Sequence, residues 1–150
     1  MIFNLFKKKP RQTFTKTFPI IGEMQCEAKS EADCKMWSKT IKYLKWDNVK
    51  LTMSGGVKSP ADIDVLTNEY KLALENAASI LDSIFLDNRY ATFYAEGKNV
   101  WANIDEVRME LNLRDMDGNY HPHIAITYSI NDAFVWIAIE QGEMTCFTAQ

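Results

Sequence analysis

Residues 59–86 read SPADIDVLTNEYKLALENAASILDSIFL, and their periodicity organises everything around them. Ser59 is an N-cap residue type, Pro60 suits the first helical position, and Asp62 adds an acid to the first turn. Ile63, Leu66, Tyr70, Ala73, Ala77, Ile80 and Ile84 then recur at alternating intervals of three and four, which places all seven on one stripe of a helix. Leu74, Leu81 and Phe85 widen the stripe, while Asp64, Asn68, Lys71, Glu75 and Asp82 occupy the opposite side. The spacing predicts one amphipathic helix of about seven turns with a face that must be buried.

The flanking sequence reads mainly as strands. On the N-terminal side, Thr13–Phe18 alternates loosely. Ile20–Ala28 follows Pro19, with Gly22 at a bend. Residues 31–46 carry two competing patterns, a helical face through Trp37, Ile41 and Leu44 and an alternation through Trp37, Ile41 and Tyr43. The aromatic and β-branched content favours the second. Val49, Leu51 and Met53 alternate with Lys50, Thr52 and Ser54 before Gly55-Gly56 leads into the helix.

On the C-terminal side, Val107, Met109, Leu111 and Leu113 alternate with Arg108, Glu110, Asn112 and Arg114, which reads as a strand; a helix starting at Asn103 is the competing reading. Asp117-Gly118 is a hairpin turn signal, and His123–Ser129, Phe134–Glu140 and Met144–Thr148 complete an antiparallel meander. Phe134–Glu140 is apolar on both faces, which predicts a central strand covered on both sides. The resulting expectation is an α+β domain over residues 13–150. It has a mostly antiparallel sheet of about six strands, with the helix of about 59–86 packed on it. Residues 1–12 form an arm.

Length and charge narrow the function. A chain of 150 residues, 47% hydrophobic, is long enough for a core that needs neither metal nor disulfides. No apolar run approaches the roughly 18–20 residues of a membrane span. Cys26, Cys34 and Cys146 are an odd set without metal-ligand spacing. Cys26 and Cys34 could in principle pair, but the reading adopted is buried or half-buried thiols in a reducing cytoplasm. The net charge is −3, yet the first sixteen residues carry +5 and no acid, leaving −8 on the body. An acidic body argues against nucleic acid and suits a basic protein partner, since opposite fields speed encounter. Met1–Arg11 pairs an apolar run with Lys7-Lys8-Lys9, the composition of a segment that dips into an anionic membrane surface. This supplies a second reading, a peripheral membrane protein.

Motifs for chemistry are sparse. His121-Pro122-His123 would put both rings on one side of an extended chain, as a metal site or small enzyme centre requires. That is a third reading; the pair is otherwise read as two exposed turn histidines. Asp115-x-Asp117-Gly118-Asn119 resembles the start of a calcium loop, but Ile126 stands where the twelfth-position Glu belongs. Gly55-Gly56 lacks a phosphate-loop pattern, and no G-x-S-x-G is present. No catalytic residue, cofactor or metal ligand is therefore assigned. Acids beside exposed aromatics are what an interface with a basic protein uses. Trp101, Asp105, Glu106, Asp115, Asp117 and Tyr120 are the candidate partner-binding residues.

Phe18-Pro19-Ile20-Ile21-Gly22-Glu23, the Trp37 region, the Tyr70…Ile80-Leu81 helix pattern and the closing meander of Asp132–Gly142 together resemble a loose group of small bacterial domains. Some of these are encoded beside toxins as immunity proteins. Where that group often has an acid-His-Gly element, this chain has Ile130-Asn131-Asp132-Ala133, so no site residue is carried over. The resemblance implies an α+β domain and a toxin as the basic partner, neutralised by binding in the cytoplasm.

Overall fold

Ser59 opens the helix as its side chain predicts. Its hydroxyl accepts from the Asp62 N–H at 3.1 Å, and the Asp62 carboxylate accepts from the Ser59 N–H at 3.1 Å, a reciprocal capping box that satisfies two otherwise orphaned donors. The computed structural model describes residues 10–44, 46–54, 57, 59–80, 106–115, 117–130 and 133–149. Among these, helix α1 spans Pro60–Glu75, and the strands are β1 (Gln12–Phe18), β2 (Gly22–Ala28), β3 (Trp37–Tyr43), β4 (Trp46–Met53), β5 (Glu106–Arg114), β6 (Tyr120–Ile130), β7 (Ala133–Glu140) and β8 (Glu143–Ala149). All eight strands form one sheet in sequence order. Each neighbouring pair is antiparallel except β4 and β5, whose parallel pairing brackets the crossover that contains α1. The sheet is thus two four-stranded meanders joined at one parallel seam.

Two expectations are corrected. The sheet has eight strands among the described residues, not about six. Two of the eight have blurred patterning. β1 lies at the sheet edge and exposes most of its residues on both sides. β3 places Lys39 on the core-facing side, where its ammonium donates to the Ile21 carbonyl at 2.7 Å. The helix also stops at Glu75 rather than running on to residue 86. Asn76 takes the cap with φ −100° and ψ 14°, and both its N–H and its side-chain amide donate to the Leu72 carbonyl. The side-chain amide shares the Leu72 carbonyl with the main-chain bond, and Asn76 leaves helical dihedrals there. Residues 77–80 resume helical turns; Leu81, Ile84 and Phe85 lie outside the described residues, as do Met1–Lys9.

Core packing follows the ladders. Leu51, Met109, Ile126 and Ile137 stand side by side across four strands, and Met53, Leu111, Ile124, Ile139 and Met144 across five. Leu66, Tyr70 and Ala73 of α1 are buried in the same core cluster. Flat, an eight-stranded sheet spans about 34 Å at ~4.8 Å per strand. Yet Thr67 donates to the Pro19 carbonyl in the β1–β2 turn at 3.4 Å, and Glu69 accepts from the Gln141 N–H in the β7–β8 turn at 2.8 Å. Turns from the first and last hairpins therefore reach helix residues only two positions apart. This requires the sheet to curl around α1.

Candidate functional site

With α1 on the inner face, the alternate residues of β5–β8 project outward. Register sorts them into rows. Glu110, Ala125, Ala138 and Cys146 lie side by side across the four strands, and Thr127, Trp136 and Thr148 form the next row. On the other side Asn112 pairs with His123. Small side chains between rows of large ones leave a trough. A groove of about 750 Å³ runs over this face, lined among others by Glu110, Asn112, His123, Trp136, Ala138 and Cys146, with Phe134 at one end and His121, Asp115 and Asp117 at the other.

Its electrostatics are one-sided. Among the described residues Glu110, Asp115, Asp117 and Glu140 line it against a single guanidinium, Arg114, which donates to the Gly118 carbonyl at 2.8 Å. At the hairpin end Asn119 bonds back to Asp115. The Asp115 carboxylate accepts from the Asn119 N–H at 2.8 Å and from its side-chain amide at 3.3 Å, and the first of these bonds leads in holding the carboxyl below its usual range. The acid on that rim is therefore ionised and fixed in place.

Both histidines of the His-x-His pair face the groove, as extended geometry predicts, but they differ. His121 is exposed, with Nε2 at 3.4 Å from Glu140 Oε2. His123 is buried, its ring 6.1 Å from that of His121 and 6.4 Å from Trp136, edge to face in both cases. His123 Nδ1 lies 2.7 Å from the His121 carbonyl oxygen. A carbonyl only accepts, so Nδ1 carries the hydrogen. Reading His123 as an exposed turn residue is corrected by this burial beneath Trp136. Among the described residues no three His, Cys, Asp or Glu side chains converge as metal ligands. The arrangement offers aromatic surface and fixed carboxylates, which suit recognition of a cation carried on an apolar stem.

The six residues predicted from sequence do not form one site. Asp115 and Asp117 lie on the groove. Tyr120 is exposed and turns its hydroxyl to Asp62 of α1 at 3.5 Å, away from His121. Glu106 sits at the far end of β5 and forms two hydrogen bonds with Arg108, at 2.9 and 3.0 Å, which hold its carboxyl below the usual range. Trp101 and Asp105 lie outside the described residues.

The groove residues Trp136, Phe134, Glu110 and Glu140 were not singled out by sequence. For Phe134 and Trp136 the signal is the apolar outer face of β7, which the sequence reading assigns to a covered central strand; Glu110 and Glu140 read as the solvent side of ordinary strands. In the structure β7 is next to the sheet edge and Phe134 is 51% exposed. No described helix is long and apolar enough to cross a membrane. No protein-family model, curated protein or solved structure matches the chain.

Proposed function

We propose that this protein is a binding domain of the immunity type, acting in the cytoplasm without chemistry of its own. It would neutralise a basic protein toxin by seating a cationic segment of it on the outer face of β5–β8. The observation that carries this reading is the groove's composition: among the described residues, four carboxylates to one guanidinium, over a floor of small side chains walled by Trp136 and His123. Aromatic walls supply burial and ionised rims supply steering and register. The acidic body, −8 outside the first sixteen residues, extends the same field beyond the groove.

The test is capture of a basic protein from lysate of the source organism by protein tagged at Gln150, repeated with two charge-reversed variants. Glu110→Lys, Asp117→Lys and Glu140→Lys together reverse the groove. Glu23→Lys, Glu27→Lys and Glu31→Lys change the total charge equally on exposed positions of the other meander. The reading expects the groove variant to lose the captured protein and the control to keep it. Equal loss in both would reduce the interaction to bulk charge, and no loss in either would remove the groove from the interface.

A further inference from the structure

Two acceptors in the groove have no partner within the described residues. His123 is 5% exposed, and its Nδ1 hydrogen is committed to the His121 carbonyl at 2.7 Å. In the neutral ring the free lone pair therefore sits on Nε2. Among the described residues that atom makes no hydrogen bond, and it lines the groove without being sealed inside the protein. A buried acceptor with no protein donor needs one from outside. Glu110 is the second acceptor. Its side chain is half-buried and forms no hydrogen bond or ion pair among the described residues. Arg108, two residues along the same strand, is held instead by two hydrogen bonds to Glu106.

Register gathers both acceptors around one spot. Ala125 pairs with Glu110 on one side and with Ala138 on the other, and His123 lies two residues along β6 on the same face. Neighbouring strands stand about 4.8 Å apart and same-face residues of one strand about 6.8 Å apart. A group resting on Ala125 is therefore flanked by the carboxylate and the imidazole. Trp136 walls the spot, its ring edge to face with that of His123 at 6.4 Å.

We infer that this spot is a guanidinium seat: an arginine side chain of the basic protein lies over Ala125 and Ala138, donates to Glu110 and to His123 Nε2, and rests against the Trp136 indole. The inference deepens the binding reading above and depends on it for the source of the arginine. A guanidinium is planar, weakly hydrated and carries five N–H donors, so one group reaches two acceptors in different directions while its face meets an aromatic ring. A lysine ammonium is a compact, strongly hydrated charge and gains less from a flat floor of alanines beside an indole.

The test uses the isotope-labelled full chain. Two short capped peptides, identical except for a central arginine or lysine, are titrated into it. The ring-nitrogen signal of His123 and the indole N–H signal of Trp136 are followed by NMR. The arginine peptide should shift both signals and bind about tenfold more tightly than the lysine peptide. His123→Phe keeps a ring without the acceptor and should weaken arginine-peptide binding about tenfold, whereas His123→Gln restores an acceptor and should recover most of the loss. Absence of binding, equal affinity for the two peptides, or an arginine complex in which the His123 signal stays in place would overturn the inference. These readouts need only the parent chain, so they decide the matter if a His123 variant does not fold. Capture of the basic protein separates this inference from the reading beneath it. Capture lost on groove reversal but kept by a folded His123→Phe variant would leave the groove as the interface and remove the seat. Capture that survives groove reversal, beside intact arginine selectivity, would keep the seat and remove the toxin as its source.

Discussion

The Glu69 carboxylate of α1 accepts the Gln141 backbone N–H at 2.8 Å, joining residues 72 positions apart. That bond fixes the β7–β8 turn against the helix and so sets the curl of the C-terminal meander, whose outer face carries the groove. Gln141 and Gly142 both have positive φ, 52° and 82°, the backbone of a two-residue hairpin turn with the right twist for its strands.

Glu69 is 5% exposed, and burial leads in pushing its carboxyl above the ordinary range, partly offset by the Gln141 bond. A raised folded-state value means the fold favours the protonated acid. The contribution is complete below the unfolded glutamate range, near pH 4.3, and is lost as pH rises through the folded value. Glu69→Gln keeps an acceptor for Gln141 and removes the buried charge. Chemical denaturation across pH should show the variant more stable than the parent by about 1 kcal/mol at neutral pH, with the difference vanishing at acid pH. Glu69→Ala, which leaves the Gln141 N–H without its acceptor, should be less stable than Glu69→Gln at every pH.

Gly142 and Gly118 share a left-handed backbone, φ 82° and 84°, but not their surroundings. A Cβ on Gly142 would stand 2.5 Å from the Asn76 side-chain amide nitrogen, whereas one on Gly118 meets nothing within 4 Å. Gly118→Ala should therefore cost about 1 kcal/mol, the backbone penalty alone. Gly142→Ala adds displacement of the Asn76 cap and should cost about 3 kcal/mol. Thermal unfolding of the two variants separates the terms; equal losses would mean that the turn does not press on the helix end.

Tyr43 is buried at the end of β3, and among the described residues its hydroxyl has no hydrogen-bond partner. Burial pushes the phenol up to about 12. Tyr43→Phe should stabilise the protein by about 1 kcal/mol, because the desolvated hydroxyl is removed and the ring is kept. The parent should also lose stability from about pH 10, where unfolded tyrosine ionises, up toward the folded value, and the variant should lose less. A destabilised Tyr43→Phe would show that the hydroxyl is satisfied.

How much was legible from sequence follows from what each residue faces. Val107, Met109, Leu111 and Leu113 alternate with polar neighbours because one face of β5 meets the core and the other meets water, and all four are buried. The helix start was legible because Ser59, Pro60 and Asp62 act locally. Its end was not, because Asn76 is displaced from helical geometry by a bond to Leu72 and by a turn from the far end of the chain. β3 was ambiguous because Lys39, polar in sequence, points inward and is satisfied by a carbonyl eighteen residues earlier. The groove was hidden for a related reason. Phe134, Trp136 and Ala138 look the same in sequence whether a strand is covered by its own chain or open to a partner; only the position of β7 in the sheet distinguishes these cases. Asp115 and Asp117 were found because turn acids are conspicuous, whereas Glu110 and Glu140 read as the solvent side of ordinary strands.

The most direct measurement of the central claim is hydroxyl-radical footprinting of the protein alone and in complex with the basic protein it captures. Oxidation reports side-chain exposure, and Phe134, Trp136, Met36 and Tyr120 provide probes on and off the groove. Docking on the outer face of β5–β8 predicts several-fold less oxidation of Phe134 and Trp136 in the complex, with Met36 and Tyr120 unchanged. Protection of Met36 or Tyr120 with Trp136 left as reactive as in the free protein would contradict it.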